Sequence, residues 1–187
     1  MNQKTHIALI CGTTRPGSQS LKVANFIHEE LSKRPKTEVR LVDPRTLALR
    51  DDGNASDWQS PEYAEIVAWA DAFYIVTPEY NRSFPGSLKR LLDLEYGNYL
   101  HKAVALTGVS SGSFGGARAV EALLPVLHNF GLYVVKTVAY FPNVQDDFDD
   151  QARIKSDKKD VRTRAIQVAA DELIWLANAL KVARNKP

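Results

Sequence analysis

The chain of 187 residues is long enough for one domain of ordinary size, and its 44% hydrophobic content supports a sizeable core. Its formal net charge of +2 is close to balance, so composition gives no argument for binding nucleic acid or a membrane surface. The single cysteine, Cys11, excludes an internal disulfide, and its place in an apolar run favours a small buried hydrophobe over a nucleophile.

No apolar run approaches the roughly 20 residues that span a bilayer, and the first residues lack the apolar stretch of a signal peptide. We therefore expect a cytoplasmic protein without membrane partners.

Apolar runs alternate with helix-period patterns along the chain. Buried strands are predicted at residues 7–11, 38–42, 72–76, 101–108 and 132–138. Helices are predicted at residues 18–34, 61–69, 88–94, 115–130 and about 150–183. This alternation indicates an α/β fold, a three-layer sandwich in which helices cover both faces of a five-stranded parallel sheet of flavodoxin-like order 2-1-3-4-5. No repeat or linker interrupts it, so residues 1–187 are predicted to form a single domain.

The first predicted strand leads into a segment, residues 12–20, that reads GTTRPGSQS. The following helix begins near Ser18, so its unpaired N–H groups face the same concavity as the hydroxyls and the arginine. An ATPase phosphate loop would need a lysine where Ser18 stands, and the dinucleotide fingerprint would need glycine where Thr14 stands. The segment therefore predicts a monophosphate site; the alternative is a serine-capped helix after an ordinary turn.

Two further loops lie where ligands bind in such sheets, beyond the strand ends at the point where strand order reverses. Residues 77–86 are restrained by prolines and offer backbone groups and Tyr80 to a flat heterocycle. Residues 109–116 hold three glycines and three serines, which permit close approach of a ring. Ordinary surface turns and a serine-rich helix cap are the alternatives. With the first loop, these segments predict a site for one flat, phosphorylated ligand.

Three segments resemble the NADPH-dependent FMN reductase family, flavodoxin-like proteins that include quinone, azo-dye and chromate reductases. They are GTTRPGS at 12–18, TPEYNRS at 77–83 with PGSLK at 85–89, and GVSSG at 108–112 with GGARA at 115–119. The resemblance implies an oxidoreductase that passes hydride from NAD(P)H through bound FMN to small-molecule electron acceptors such as quinones, azo compounds, free flavin or chromate. It also implies a homodimer or homotetramer.

The resemblance assigns the FMN phosphate to the first loop and the isoalloxazine ring to the other two. The predicted cofactor residues are Gly12, Thr13, Thr14, Arg15, Gly17, Ser18, Gln19, Ser20, Pro78, Glu79, Tyr80, Asn81, Ser110, Ser111 and Gly112. Arg82 is a candidate for pairing with a phosphate of the reduced nucleotide, and a solvated arginine is the alternative. Flavin supplies the hydride chemistry, so no catalytic side chain and no metal site are expected.

A single mononucleotide site and no second dinucleotide motif predict ping-pong turnover, in which NAD(P)H and acceptor alternate on one flavin face. A flavodoxin-type single-electron carrier and a flavin-binding sensor remain alternative functions, although such carriers are strongly acidic and this chain is nearly neutral. Trp58 and Tyr99 are candidates for the pocket rim or for ordinary packing. A further apolar set serves either a homodimer surface or the core: Leu91, Leu92, Leu94, Tyr96 and Tyr99.

Overall fold

Five parallel strands form the central sheet of the computed structural model, which describes residues 4–47 and 60–185. In chain order the strands are β1 (Thr5–Cys11), β2 (Thr37–Val42), β3 (Ala72–Pro78), β4 (Ala103–Val109) and β5 (Tyr133–Phe141). Their spatial order is β2-β1-β3-β4-β5, with parallel pairing throughout, so the predicted order is confirmed. The strand order reverses between β1 and β3, which places a switch point there.

Helices cover both faces of the sheet, as predicted. Within the described residues the α-helices are α1 (Gln19–Ser32), α2 (Pro61–Trp69), α3 (Gly86–Asp93), α4 (Ala117–Asn129) and α5 (Ser156–Arg184). One core cluster joins α1 and α5 to one face, and a second joins α2, α3 and α4 to the other. Strands β3 and β4 are buried along their whole length, which explains their continuous apolar sequences.

Several boundaries differ from the predicted ones. β3 continues to Pro78 because β4 pairs with it as far as Val109, although pairing with β1 stops at Val76. Proline is tolerated at position 78 because it lacks a main-chain N–H. In this strand that N–H would point toward β1, where the pairing has already ended. α4 begins two residues late because Gly115 and Gly116 adopt left-handed φ values of 62° and 84°.

Most of the apolar set near α3 lies in the core. Leu91, Leu92 and Tyr99 are fully buried and Leu94 nearly so, which confirms the core interpretation for these four residues. The Tyr99 hydroxyl lies 2.7 Å from that of Tyr63, inside the protein and not at a pocket rim. Trp58 lies outside the described residues.

Cys11 is buried in β1, as predicted, and burial raises the pKa of its thiol to about 11. A thiol with a raised pKa is a poor nucleophile. None of the described helices is both long and apolar enough to cross a membrane.

Candidate functional site

A cavity of about 350 Å³ opens at the carboxyl ends of β1, β3 and β4. Its size falls within the range of small-molecule sites. The loop after β1 and the start of α1 contribute Arg15, Pro16, Gly17, Ser18, Gln19 and Ser20. The remaining wall consists of Pro78, Glu79, Tyr80, Val109, Ser110, Ser111 and Val144. The structure thus brings the three predicted loops together at the switch point.

Not every predicted site residue lines this cavity. Among those that do not are Gly12, Thr13, Thr14, Asn81, Gly112 and Arg82. Three cavity residues, Pro16, Val109 and Val144, were absent from the predicted set.

The start of α1 forms the polar end of the cavity. Ser18 is the N-cap of α1, and its hydroxyl accepts a hydrogen bond from the N–H of Leu21 at 3.3 Å. The serine-capped helix is therefore present, and its cap does not exclude the predicted anion site at the same helix end. The first turn of α1 contains no acidic residue, so the positive end of the helix dipole is not neutralised there. The Oε1 atom of Gln19 is buried without a hydrogen-bond partner in the described part of the chain.

Thr13 is buried and ties the first loop to the second. Its hydroxyl lies 3.1 Å from the hydroxyl of Tyr80 and accepts the N–H of Arg15 at 3.2 Å. Tyr80 in turn lines the cavity. The threonine hydroxyl therefore holds the two loops in register and lies behind the cavity wall.

The second loop folds back on itself in a tight turn. The main chains of Tyr80 and Ser83 exchange hydrogen bonds of 2.8 and 3.0 Å. Between them Asn81 and Arg82 have φ values of 49° and 70°, the left-handed pair that a two-residue type I′ turn requires. Asn81 and Arg82 form the tip of this turn and are exposed.

Glu79 is a nearly buried carboxylate in the cavity wall, with 8% of its side chain exposed. Its Oε1 atom accepts a hydrogen bond from Nε of Arg118 at 2.6 Å, and Nη2 of the same arginine lies 2.5 Å away. Its Oε2 atom is buried and has no partner within the described residues. Arg118, in the first turn of α4, also lies over the ring of Phe114. The sequence segment GGARA contained this arginine, but nothing in it indicated a partner in another loop.

A fourth segment, the connection after β5, closes the cavity. The N–H of Val144 donates to the carbonyl of Ser110 at 3.1 Å, and that of Asn143 donates to the carbonyl of Gly112 at 3.1 Å. These bonds place Val144 in the wall beside the third loop. Gly115 allows this close packing, because a Cβ there would lie 3.2 Å from the main-chain nitrogen of Pro142.

The donor set of the cavity fits a phosphorylated heterocycle. One end has helix N–H groups and an arginine, and the other has the unpartnered acceptor of Glu79 beside the apolar surfaces of Pro78, Val109 and Val144. Such a combination of apolar walls and a few fixed polar groups is typical of cofactor sites. Within the described residues no group of His, Cys, Asp and Glu has the arrangement that would hold a metal ion.

Comparison with known proteins agrees with this geometry. The family model for NADPH-dependent FMN reductases matches residues 5–146. The chain is 29% identical over 164 residues to a quinone reductase of Pseudomonas putida, covering 82% of this chain and 87% of that protein. It is 28% identical over 181 residues to the NADH-dependent FMN reductase SfnF of Pseudomonas fluorescens, covering 95% and 96%.

Among solved structures the fold is similar to FerB, a flavoenzyme NAD(P)H:acceptor oxidoreductase from Paracoccus denitrificans. The TM-score is 0.73 at 22% identity, with 90% of this chain and 97% of that chain covered. At that identity the likeness shows a shared fold.

Proposed function

Since the chain belongs to the NADPH-dependent FMN reductase family, we propose that its cavity binds FMN and that the protein passes hydride from NAD(P)H through this flavin to small acceptors. The observation that carries the proposal is the meeting of the α1 N-terminus with the loops after β3 and β4 in one cavity. FMN supplies the hydride chemistry when bound, so the protein has to hold it, orient it and leave one face accessible.

The phosphate is assigned to the first loop and the start of α1. Ser18, Ser20 and Arg15 line the cavity there, and the N–H groups of the first turn add neutral donors. Gly12, Thr13 and Thr14 act in this proposal by shaping the turn; the bond between Thr13 and Tyr80 is the structural support for that role.

The ring is assigned to the other two loops. Pro78, Glu79 and Tyr80 from the second loop and Ser110 and Ser111 from the third line the cavity side by side. Asn81 and Gly112 hold the shapes of these loops, Asn81 through its left-handed backbone and Gly112 through its bond from Asn143. Arg82, exposed at the tip of the turn, is proposed to contact a phosphate of the reduced nucleotide.

Quinones are the acceptors to test first, because a quinone reductase of Pseudomonas putida is a relative over most of both chains. Azo compounds, free flavin and chromate follow. We propose ping-pong turnover, since flavin held in the cavity of about 350 Å³ at the switch point would offer one exposed face for NAD(P)H and acceptor to use in turn. The proposal includes a cytoplasmic location, which the dependence on NAD(P)H as reductant supports.

We propose further that residues 1–187 act as one domain in a homodimer or homotetramer. The last helix, α5, lies wholly beyond the family match but packs on β5 and β4 of the same sheet. Most of the apolar residues near α3 are buried within the chain, so Tyr96, which is 63% exposed, is the member of that set available to a partner copy. Light scattering after gel filtration measures the assembly directly.

The test of the function is optical. Protein purified without added FMN is expected to show bound flavin or to acquire it on addition of FMN, and NADPH without air is expected to bleach the flavin absorbance. A benzoquinone is then expected to restore the colour. Parallel double-reciprocal plots would support ping-pong turnover, whereas intersecting plots would contradict it. Flavin that NADPH leaves coloured would support the single-electron carrier or the sensor, and protein that takes up no FMN would overturn the proposal.

A further inference from the structure

The carboxylate of Glu79 is hydrogen-bonded unevenly. Its Oε1 atom receives both contacts from Arg118, and Oε2 has none within the described residues although it is buried. Buried polar atoms in native proteins are normally paired, and an unpaired one in a cavity wall calls for a water, an ion or a ligand group. A carboxylate oxygen accepts hydrogen bonds, so the missing group is an N–H or O–H donor.

Arg118 determines which oxygen stays unpaired. Both of its short contacts go to Oε1, and its guanidinium lies 4.8 Å from the centroid of the Phe114 ring. The arginine itself does not line the cavity. The first turn of α4, which carries Arg118, is fixed against β4 by the close approach of Gly116 to Val109. The arginine therefore holds the Glu79 side chain from behind the cavity wall.

We propose that Arg118 is a positioning residue that fixes Glu79 so that its second oxygen accepts an N–H of the bound heterocycle. This inference rests on the proposed function, because the oxidised isoalloxazine ring carries a single N–H, at N3. A fixed acceptor in a site from which water is excluded discriminates strongly against an analogue that lacks the donor, since the buried acceptor is then left unpaired. Glu79 would therefore recognise the pyrimidine edge of the ring by direct contact, and Arg118 would act on that contact without touching the ring.

The experiment compares the binding of FMN with that of FMN methylated at N3, by quenching of flavin fluorescence, in wild type, Arg118→Ala and Glu79→Gln. Wild type is expected to prefer FMN by about tenfold or more, the value of one hydrogen bond to a charged group. Arg118→Ala is expected to weaken FMN binding by a similar factor and to leave binding of the methylated flavin nearly unchanged. The double variant is expected to bind FMN no more weakly than Glu79→Gln, because the two residues act as a unit.

Arg164→Ala is the matched control, since Arg164 is an exposed arginine on α5 and its removal makes the same charge change. It is expected to retain the preference for FMN. Equal weakening of both flavins in Arg118→Ala would indicate a purely structural role and overturn the inference, as would a wild type that binds both flavins alike. If Arg118→Ala does not fold, Arg118→Gln takes its place with the same expected loss of preference, while Glu79→Gln tests the contact of the carboxylate with the ring.

Failure of the proposed function gives a different result. A wild-type protein that binds neither flavin would overturn both the proposed function and this inference. A wild-type protein that binds FMN and is bleached by NADPH would support the proposed function. If Arg118→Ala then keeps the wild-type preference for FMN over the methylated flavin, only the inference is overturned.

Discussion

Two arginine–carboxylate pairs near the cavity differ in how completely the carboxylate is paired. Asp147, with 2% of its side chain exposed, receives Nε of Arg162 on one oxygen at 2.9 Å and Nη2 on the other at 3.1 Å. Arg162 also donates to the carbonyl of Tyr140 at 2.9 Å. Glu79 is nearly buried, with 8% of its side chain exposed, yet among the described residues only one of its oxygens has a partner, Arg118.

On the function proposed above, the difference separates a structural pair from one that would face the ligand. The Arg162–Asp147 pair joins α5 to the connection after β5, where every bond of the carboxylate is made inside the protein. In the Arg118–Glu79 pair the carboxylate lies in the cavity wall, and one of its oxygens has no partner in the part of the chain that the structure describes. Of these two pairs, the completely paired one has a structural role, and the incompletely paired one lies at the surface that we propose binds the ligand.

The largest expected effect comes from breaking the complete pair. Arg162→Ala leaves the carboxylate of Asp147 buried without its cation, and such a loss costs about 3–5 kcal/mol of unfolding free energy. Arg118→Ala is expected to cost less, because the Arg118 side chain is 39% exposed and water can reach the space it leaves. Urea unfolding of both variants measures the difference. Arg164→Ala, the control, should stay within about 0.5 kcal/mol of wild type.

An equal loss of stability in Arg162→Ala and Arg118→Ala would contradict the distinction between the two pairs.

The next effect comes from displacing the helix that carries Arg118. Gly116→Ala places a side chain at φ 84° and in overlap with the main chain of Val109. The left-handed backbone and the overpacking together cost about 3 kcal/mol. FMN binding should weaken as well, because Arg118 moves with α4. Chemical unfolding and flavin titration measure the two effects.

Gly86→Ala is the matched control for this change. Gly86 is the first residue of α3, its φ is not in the left-handed region, and a Cβ there meets open space. Alanine at this position is expected to leave stability equal or slightly higher. Unchanged stability in Gly116→Ala would show that the start of α4 is free to shift, and Arg118 with it.

The sequence predicted the sheet and the place of the cavity well, for a physical reason. Strands buried on both faces appear as continuous apolar runs, so β1, β3 and β4 could be read directly, and the switch point follows from their order. The strand order and the layers needed no side-chain detail.

The partners of individual side chains could not be read in this way. The hydroxyl of Thr13 bonds to Tyr80, and Arg118 pairs with Glu79, across 67 and 39 residues of sequence. Neither residue type nor spacing shows such pairs, because they depend on how the loops pack after the sheet has formed. Val144 was missed for a similar reason, since the connection after β5 shows only a turn pattern in the sequence.

A buried lysine, Lys102, extends the comparison to a cation whose partners are neutral carbonyls. Lys102 is 7% exposed, and its Nζ donates to the carbonyls of Val67 at 2.7 Å and Ala68 at 3.4 Å, near the end of α2. Burial lowers the pKa of Lys102 to about 8; the nearby Arg184 acts in the same direction, and the carboxylates of Asp71 and Glu95 oppose it. Its bonds to carbonyls therefore compensate the charge less well than a carboxylate would.

The contribution of Lys102 to the free energy of unfolding depends on pH. Between the folded pKa of about 8 and the ordinary value of 10.5, the unfolded chain binds more protons at Lys102, so its contribution to stability rises with pH. The gain between pH 8 and pH 10 is about 2 kcal/mol for wild type relative to Lys102→Met, which lacks the titrating group. Urea unfolding of both proteins at several pH values measures this difference. A constant difference across that range would show that the amine titrates normally.

The smallest expected effect compares two helix caps, one at the cavity and one away from it. Ser18 and Ser60 cap α1 and α2 in the same manner, each accepting a main-chain N–H at 3.3 Å, from Leu21 and Tyr63 respectively. Alanine at either position is expected to cost about 1 kcal/mol of stability. Only Ser18 lines the cavity, so only Ser18→Ala is expected to weaken FMN binding more than riboflavin binding, because riboflavin lacks the phosphate. Fluorescence titration measures the preference for FMN over riboflavin. An equal preference in both variants and in wild type would contradict the assignment of the phosphate to the start of α1.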